Sequence, residues 1–196
     1  MKPFNTLPTK YFDDIYDKHD DPWFFQTSEY EKGKFQATVD ALTKPGYDNA
    51  FEIGCSIGVL TEKLAPRCKR LLSVDVSSSP IENARIRLSG YPQVRFQRMI
   101  VPNEFPGEMF DLVVMSEVGY YFSMADLLVT QHLITDHLLA GGQLLMVHWT
   151  PIVDDYPLTG DEVHEVFLKI AVEGGPLKVL FDKREEKYRI NLFEKV

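Results

Sequence analysis

Between residues 49 and 149, short apolar runs of strand length alternate with stretches of helical spacing. That alternation restricts the chain to few architectures. Strands are expected at 50–53, 71–74, 94–96, 110–115 and 143–148. The run 110–115 is fully apolar after Asp111, which predicts burial on both faces. The run 94–96 is short and charged, which predicts an edge. Between the runs, helices are expected over 58–65, stopped by Pro66, and over 123–139, with Gly141-Gly142 as the C-terminal stop. A third helix should start with Ser79 as N-cap, Pro80 at the first helical position and Glu82 closing a capping box. Ile81, Ala84 and Leu88 give it an apolar face. The pattern predicts an α/β fold with a doubly wound, mostly parallel sheet.

The ends of the chain read differently. Two strands, 178–182 and 188–193, flank a charged turn and predict a C-terminal antiparallel hairpin, bringing the sheet to seven strands. Thr159 with Glu162 opens a helix to about residue 172. Residues 1–48 are expected to form an N-terminal helical arm or lid, crowded with Tyr11, Phe12, Tyr16, Trp23, Phe24, Phe25 and Tyr30. Ser28 and Glu31 predict a capped helix over 29–41 within it. Residues 49–196 then form the ligand-binding domain. These aromatics either pack on the flank of the sheet or cover a ligand.

Composition narrows the function classes. Lys and Arg number 21 against 29 Asp and Glu, for a net charge of −8, and no basic track is present. Nucleic acid is therefore not the expected partner. Met1 to Asp14 has no apolar leader core, and the apolar runs are too short for a bilayer span. The two cysteines, Cys55 and Cys68, form neither a disulfide framework nor a zinc spacing. No metal site is expected, and a reduced, cytoplasmic setting fits best.

The segment Phe51-Glu52-Ile53-Gly54-Cys55-Ser56-Ile57-Gly58 carries the most functional information. A strand ends, a loop of small residues follows, and a helix begins. Glycine there allows a tight turn and close approach of a ligand to the backbone. The spacing departs from the dinucleotide fingerprint at Ser56 and Val59, and no Gly-Lys-Ser/Thr follows for a P-loop. Asp75 stands 21 residues after Gly54, at a strand end, where a carboxylate can accept both ribose hydroxyls. Ligands of open parallel sheets bind beyond the C-terminal strand ends, which singles out Glu117 and His148. His148 is the better base by intrinsic pKa. Tyr120 and Tyr121 either line an acceptor pocket or pack beneath the helix. Asp155, Tyr156, Asp161 and His164 are polar groups after the fifth strand that either recognise substrate or cap and cover the surface.

The pattern Glu52-x-Gly54-Cys55-x-x-Gly58, the acid at Asp75 and the stretch Phe110-Asp111 to Ser116-Glu117 resemble class I S-adenosylmethionine-dependent methyltransferases, which have a Rossmann-like sheet. Within that class the chain resembles the nodulation protein S family. The resemblance rests on Asp21-Pro22-Trp23, Ser28-Glu29-Tyr30-Glu31, Glu52 to Leu60, Ser116 to Tyr121 and His148-Trp149. The stretch from Asp155 to His164 is similar to relatives fused to sugar-deacetylase domains. The resemblance implies S-adenosyl-L-methionine as cofactor and methylation of an amine on a small polar or saccharide acceptor, such as a deacetylated oligosaccharide. It implies a functional link to oligosaccharide biosynthesis and to a sugar deacetylase. Transfer to a hydroxyl or carboxyl, or cofactor binding without turnover, are the alternatives.

By the same resemblance, the cofactor wall comprises Glu52, Gly54, Cys55, Ser56, Gly58, Asp75, Val76, Met99, Ile100 and Ser116. Tyr30 would contact the methionine carboxylate, and Trp23 would cover the site. Glu117 and His148 would serve catalysis. Tyr120, Tyr121, Trp149, Asp155, Tyr156, Asp161 and His164 would meet the acceptor. Two departures stand out. Ser56 replaces the usual second glycine. Arg98-Met99-Ile100 lacks the aspartate that often meets the adenine amino group, so backbone groups and Met99 or Ile100 are expected to hold the base.

Overall fold

The computed structural model describes residues 4–196; the first three residues of the expected arm, and of the stretch read for a leader, lie outside it. Seven strands form one sheet: β1 (Ala50–Ile53), β2 (Leu71–Asp75), β3 (Val94–Arg98), β4 (Phe110–Ser116), β5 (Leu138–Trp149), β6 (Leu177–Arg184) and β7 (Tyr188–Lys195). Their order is β3-β2-β1-β4-β5-β7-β6. The pairs among β1 to β5 are parallel, and β7 runs antiparallel to both β5 and β6. This is the expected seven-stranded sheet, with β3 at one edge and the hairpin at the other.

Among the described residues, six α-helices accompany it: α1 (Thr9–Tyr16), α2 (Glu29–Asp40), α3 (Val59–Leu64), α4 (Ser78–Arg87), α5 (Met124–His137) and α6 (Gly160–Leu168). Strand side chains alternate between faces. Val113, Met115, Leu144 and Met146 point toward Leu127 and Ile134 of α5 and Val163 and Phe167 of α6. Leu112, Val114, Leu145 and Val147 point toward Phe35 and Val39 of α2 and Leu60 and Leu64 of α3. Both faces of β4 are covered, as its unbroken apolar run requires. Each such buried side chain stabilises by about 1.5–3 kcal/mol. The polar Asp111 sits at the edge of this apolar run, and its carboxylate accepts the backbone N–H groups of Asp48 (2.7 Å) and Asn49 (2.9 Å).

Several local details differ from expectation. The helix α5 ends at His137, and β5 begins at once. Its pairing jumps from Phe110–Leu138 to Leu112–Gln143, so Gly141, at φ +72°, serves a bulge inside the strand instead of a helix stop. The N-cap of α4 is Ser77, which makes no side-chain capping bond. Its hydroxyl instead donates to Asp13 of α1 at 2.6 Å. The helix α6 has the expected capping box but stops at Leu168. At α2, the Ser28 hydroxyl accepts from Glu31 N–H. The Glu31 side chain does not close the box, because it is drawn to Lys34. Among the described residues, no helix is long and apolar enough to cross a membrane.

Candidate functional site

A cavity of about 640 Å³ opens beyond the C-terminal ends of β1, β2 and β4, beneath the N-terminal arm. That volume lies within the usual range for small-molecule sites. Its wall includes Gly54, Cys55, Ser56, Asp75, Val76, Met99, Ile100 and Ser116, all expected at a cofactor.

The glycine turn shapes this wall. Gly54 has φ +82°, and a Cβ there would stand 2.0 Å from Val118 Cγ2. Only a residue without a side chain fits. Ser56 adopts a left-handed φ of +48° without being glycine. Two bonds compensate: its N–H donates to Asp75 Oδ2 at 2.9 Å, and its hydroxyl pairs with Tyr16 OH at 2.6 Å. Asp75 Oδ1 accepts from Ser77 N–H at 3.0 Å. Burial raises the Asp75 pKa, and the backbone N–H groups of Ser77, Ser56 and Val76 oppose the rise. The arm is tied to this wall by Asp13, Tyr16 and, farther along the cavity, the Leu7 N–H donating to Tyr121 O at 2.9 Å.

The other end of the cavity is ionic and aromatic. Lys34 of α2, only 2% exposed, places Nζ 2.6 Å from Glu117 Oε1 and 2.8 Å from Glu31 Oε2. Burial pulls the Lys34 pKa down, but Glu117 and Glu31 outweigh it and the net shift is upward. The Glu31 Oε2 is buried, and the Lys34 ammonium is the cation it faces. Glu117, at φ +56°, accepts from Tyr120 OH (2.6 Å) and Trp149 N–H (2.8 Å) at Oε2. Tyr120 stacks on Tyr156 (5.0 Å between ring centres, 12° between planes), and Tyr121 meets Tyr156 edge-on. Trp23, Tyr120, Tyr121, Trp149 and Tyr156 all line the cavity.

Other expected site residues stand elsewhere. Glu52 is buried under the loop and outside the wall, accepting from Thr61 and Ser73 hydroxyls at 2.7 Å. Burial pushes its carboxyl up to about 7 against those two bonds. Gly58 also lies outside the wall; it starts α3, where a Cβ would come within 2.9 Å of Ala84 and Leu88. Tyr30 turns outward, 39% exposed, with its ring edge-on to Trp149 and Tyr188. Asp155 is exposed, and Asp161 pairs with Arg184 at the surface. Neither borders the cavity.

His148 is the main correction. It is fully buried and outside the cavity. Its Nε2 accepts the Gly119 N–H at 3.0 Å, and its Nδ1 faces His164 Nε2 at 3.1 Å. Burial, then Lys34, lowers its pKa to about 3. A ring with both nitrogens engaged and no path to the cavity is not placed to take a substrate proton. His164 lies behind it, equally remote from an acceptor.

Lys34 and Glu31 enter the wall without having been singled out for it, whereas Tyr16 is one of the arm aromatics expected either on the sheet or over a ligand. Lys34 follows Glu31 by three residues, so one helical face presents both; that spacing was the available signal.

Comparison with known proteins agrees with this architecture. The family model Nodulation protein S (NodS) matches residues 14–146. Nodulation protein S of Bradyrhizobium diazoefficiens is 36% identical over 103 residues, which is 52% of this chain and 49% of that protein. Its counterpart in Rhizobium tropici is 33% identical over 128 residues, 64% of this chain and 54% of that protein. The chain thus spans about half the length of the curated relatives it matches. The crystal structure of N-methyltransferase NodS from Bradyrhizobium japonicum, in complex with S-adenosyl-l-homocysteine, superposes with a TM-score of 0.83 at 23% identity. That match covers 95% of this chain and 97% of that one. A Pseudomonas syringae protein superposes with a TM-score of 0.74 at 32% identity, covering 86% of this chain and all of that one. With its sheet order, its glycine turn and the match over residues 14–146, the chain belongs to the nodulation protein S family and has the class I methyltransferase fold.

Proposed function

We propose that this chain is an S-adenosylmethionine-dependent N-methyltransferase whose acceptor is the amine of a small polar molecule, an amino sugar or a deacetylated oligosaccharide. The observation that carries the reading is one continuous cavity with a glycine turn and Asp75 at one end and Glu117 among tyrosines at the other. The residues present fit the cofactor. Asp75 retains acceptor capacity for a ribose diol. Val76, Met99 and Ile100 offer an apolar slot for the base. Lys34 and the buried Glu31 carboxylate, both in the wall, suit the carboxylate and ammonium of an amino-acid tail.

When bound, S-adenosylmethionine supplies a methyl group already activated by its sulfonium. The chain's own task is to position and to dry. Holding two reactants in line can lower a barrier by about 7–11 kcal/mol. Three of the roughly four acceptor directions of the Glu117 carboxylate are taken, by Lys34, Tyr120 and Trp149. The remaining one receives an acceptor N–H and orients the nitrogen lone pair. The stacked Tyr120–Tyr156 pair offers faces for a sugar ring. An upstream deacetylase would supply the free amine, and the two buried free cysteines suit a reducing, cytoplasmic setting. The Bradyrhizobium japonicum relative is an N-methyltransferase, which supports nitrogen over oxygen.

Mass spectrometry with fragmentation tests the reading. The protein is incubated with methyl-labelled S-adenosylmethionine and a chitooligosaccharide bearing one free terminal amine. One labelled methyl on that nitrogen is the expected product. Label on oxygen, or none across amines of this class, would overturn it.

A further inference from the structure

Behind the cavity runs a buried chain of polar groups that the proposed reaction does not use directly. It begins at the Gly119 N–H, which donates to His148 Nε2 at 3.0 Å. A backbone amide can only donate, so that nitrogen carries no proton. His148 is buried, and burial holds it neutral; its proton therefore sits on Nδ1, which faces His164 Nε2 at 3.1 Å. His164 Nε2 must accept, so its own proton sits on Nδ1 and goes to Asn191 Oδ1 on β7. The Asn191 amide is oriented by its NH₂, which reaches the Phe181 carbonyl on β6 at 3.4 Å. Both ends of the chain are backbone groups of fixed role. The direction of every bond between them follows.

The chain starts in the turn that presents Glu117. That turn is tight: Glu117 sits at φ +56°, and Val118 to Tyr121 closes a helical turn of 3-10 type. A Cβ on Gly119 would lie 3.0 Å from His148 Nε2 and 2.4 Å from Val163, so ring, turn and α6 are in close contact. We infer that His148, His164 and Asn191 form a one-directional relay of hydrogen bonds, donated from the Gly119 N–H toward the C-terminal hairpin, that anchors the Glu117–Tyr120 turn to that hairpin and makes His148 and His164 positioning residues for the acceptor. The inference rests on the N-methyltransferase reading for its kinetic consequence and on burial and hydrogen-bond geometry for its tautomers.

The test has two arms. Imidazole nitrogen-15 spectra of the wild-type protein at neutral pH report the tautomers directly. The expected state has bare Nε2 and protonated Nδ1 on both rings; a bare Nδ1 on either ring would overturn the relay. This arm stands even if no methyl acceptor is found, so failure of the relay and failure of the N-methyltransferase reading are separable.

The second arm uses His164→Leu, which touches neither the cavity nor Glu117, and His164→Gln, which restores an acceptor. A misplacement of about 1 Å can cost 10²-fold in rate. His164→Leu should lower kcat by roughly 10–100-fold, with acceptor KM and S-adenosylhomocysteine affinity within about 3-fold of wild type. His164→Gln should recover much of the loss, and the Gly119 amide should exchange with solvent faster in the leucine variant. Unchanged kcat, equal loss in both variants, or loss of S-adenosylhomocysteine affinity in parallel with kcat would contradict the relay.

Discussion

The two ends of the cavity are built from different materials. The glycine-turn end is compact in origin: Gly54, the Ser56 N–H and the Asp75 carboxylate come from the turn after β1 and the end of β2. The Glu117 end is mostly side chains, and its partners come from far along the chain. Lys34 and Glu117 are 83 residues apart, and Trp149 is 32 beyond Glu117. A wall set by the path of the chain rests on few side chains, here the absence of one at Gly54 and the carboxylate of Asp75. A wall of buried charges depends on every member, since removing one strands the others.

Lys34→Met probes that contrast most severely. It leaves Glu31 and Glu117 buried and close without their cation. Breaking a buried pair from one side costs about 3–5 kcal/mol, a large share of the stability of a domain. Urea unfolding should show a loss of that size; a loss below about 1 kcal/mol would mean the ionic end is as tolerant as the loop.

A smaller effect separates the cofactor wall from its support. Glu52 is raised by burial to about 7, above the ordinary carboxyl value of 4.5. The folded state thus holds this proton more tightly than the unfolded chain. The associated stability is full below pH 4.5 and is lost as pH rises through about 7. Compared with Glu52→Gln, the wild type should match it in pH dependence at low pH and fall behind by on the order of 1–3 kcal/mol by pH 8. Affinity for S-adenosylhomocysteine should stay within about 2-fold, because Glu52 does not border the cavity. A constant difference across pH would contradict the raised carboxyl, and a large loss of affinity would place Glu52 in the wall.

The same contrast explains what the sequence disclosed. The strands, the hairpin, the glycine turn and Asp75 follow from local spacing, and so they were legible. The roles of Glu52 and Gly58 were misjudged because a loop's wall and its support share one stretch of chain. His148 satisfied the rule for strand ends, yet its side chain points into the layer under α6, which periodicity near a strand end does not decide. Tyr30 and Lys34 lie on one helix; which of them enters the cavity depends on how α2 rests on the sheet, a non-local fact. Gly141-Gly142 looked like a helix stop because a bulge and a helix C-terminus ask for the same left-handed glycine.

Calorimetric titration of S-adenosylhomocysteine into the wild type, Asp75→Ala and Tyr120→Phe tests the central claim, that one cavity has a cofactor end and a separate acceptor end. The account predicts one equivalent bound by the wild type, affinity kept within about 3-fold in Tyr120→Phe, and binding lowered at least about 100-fold in Asp75→Ala, where a buried acceptor for two hydroxyls is removed. No binding to the wild type, or equal losses in both variants, would contradict it.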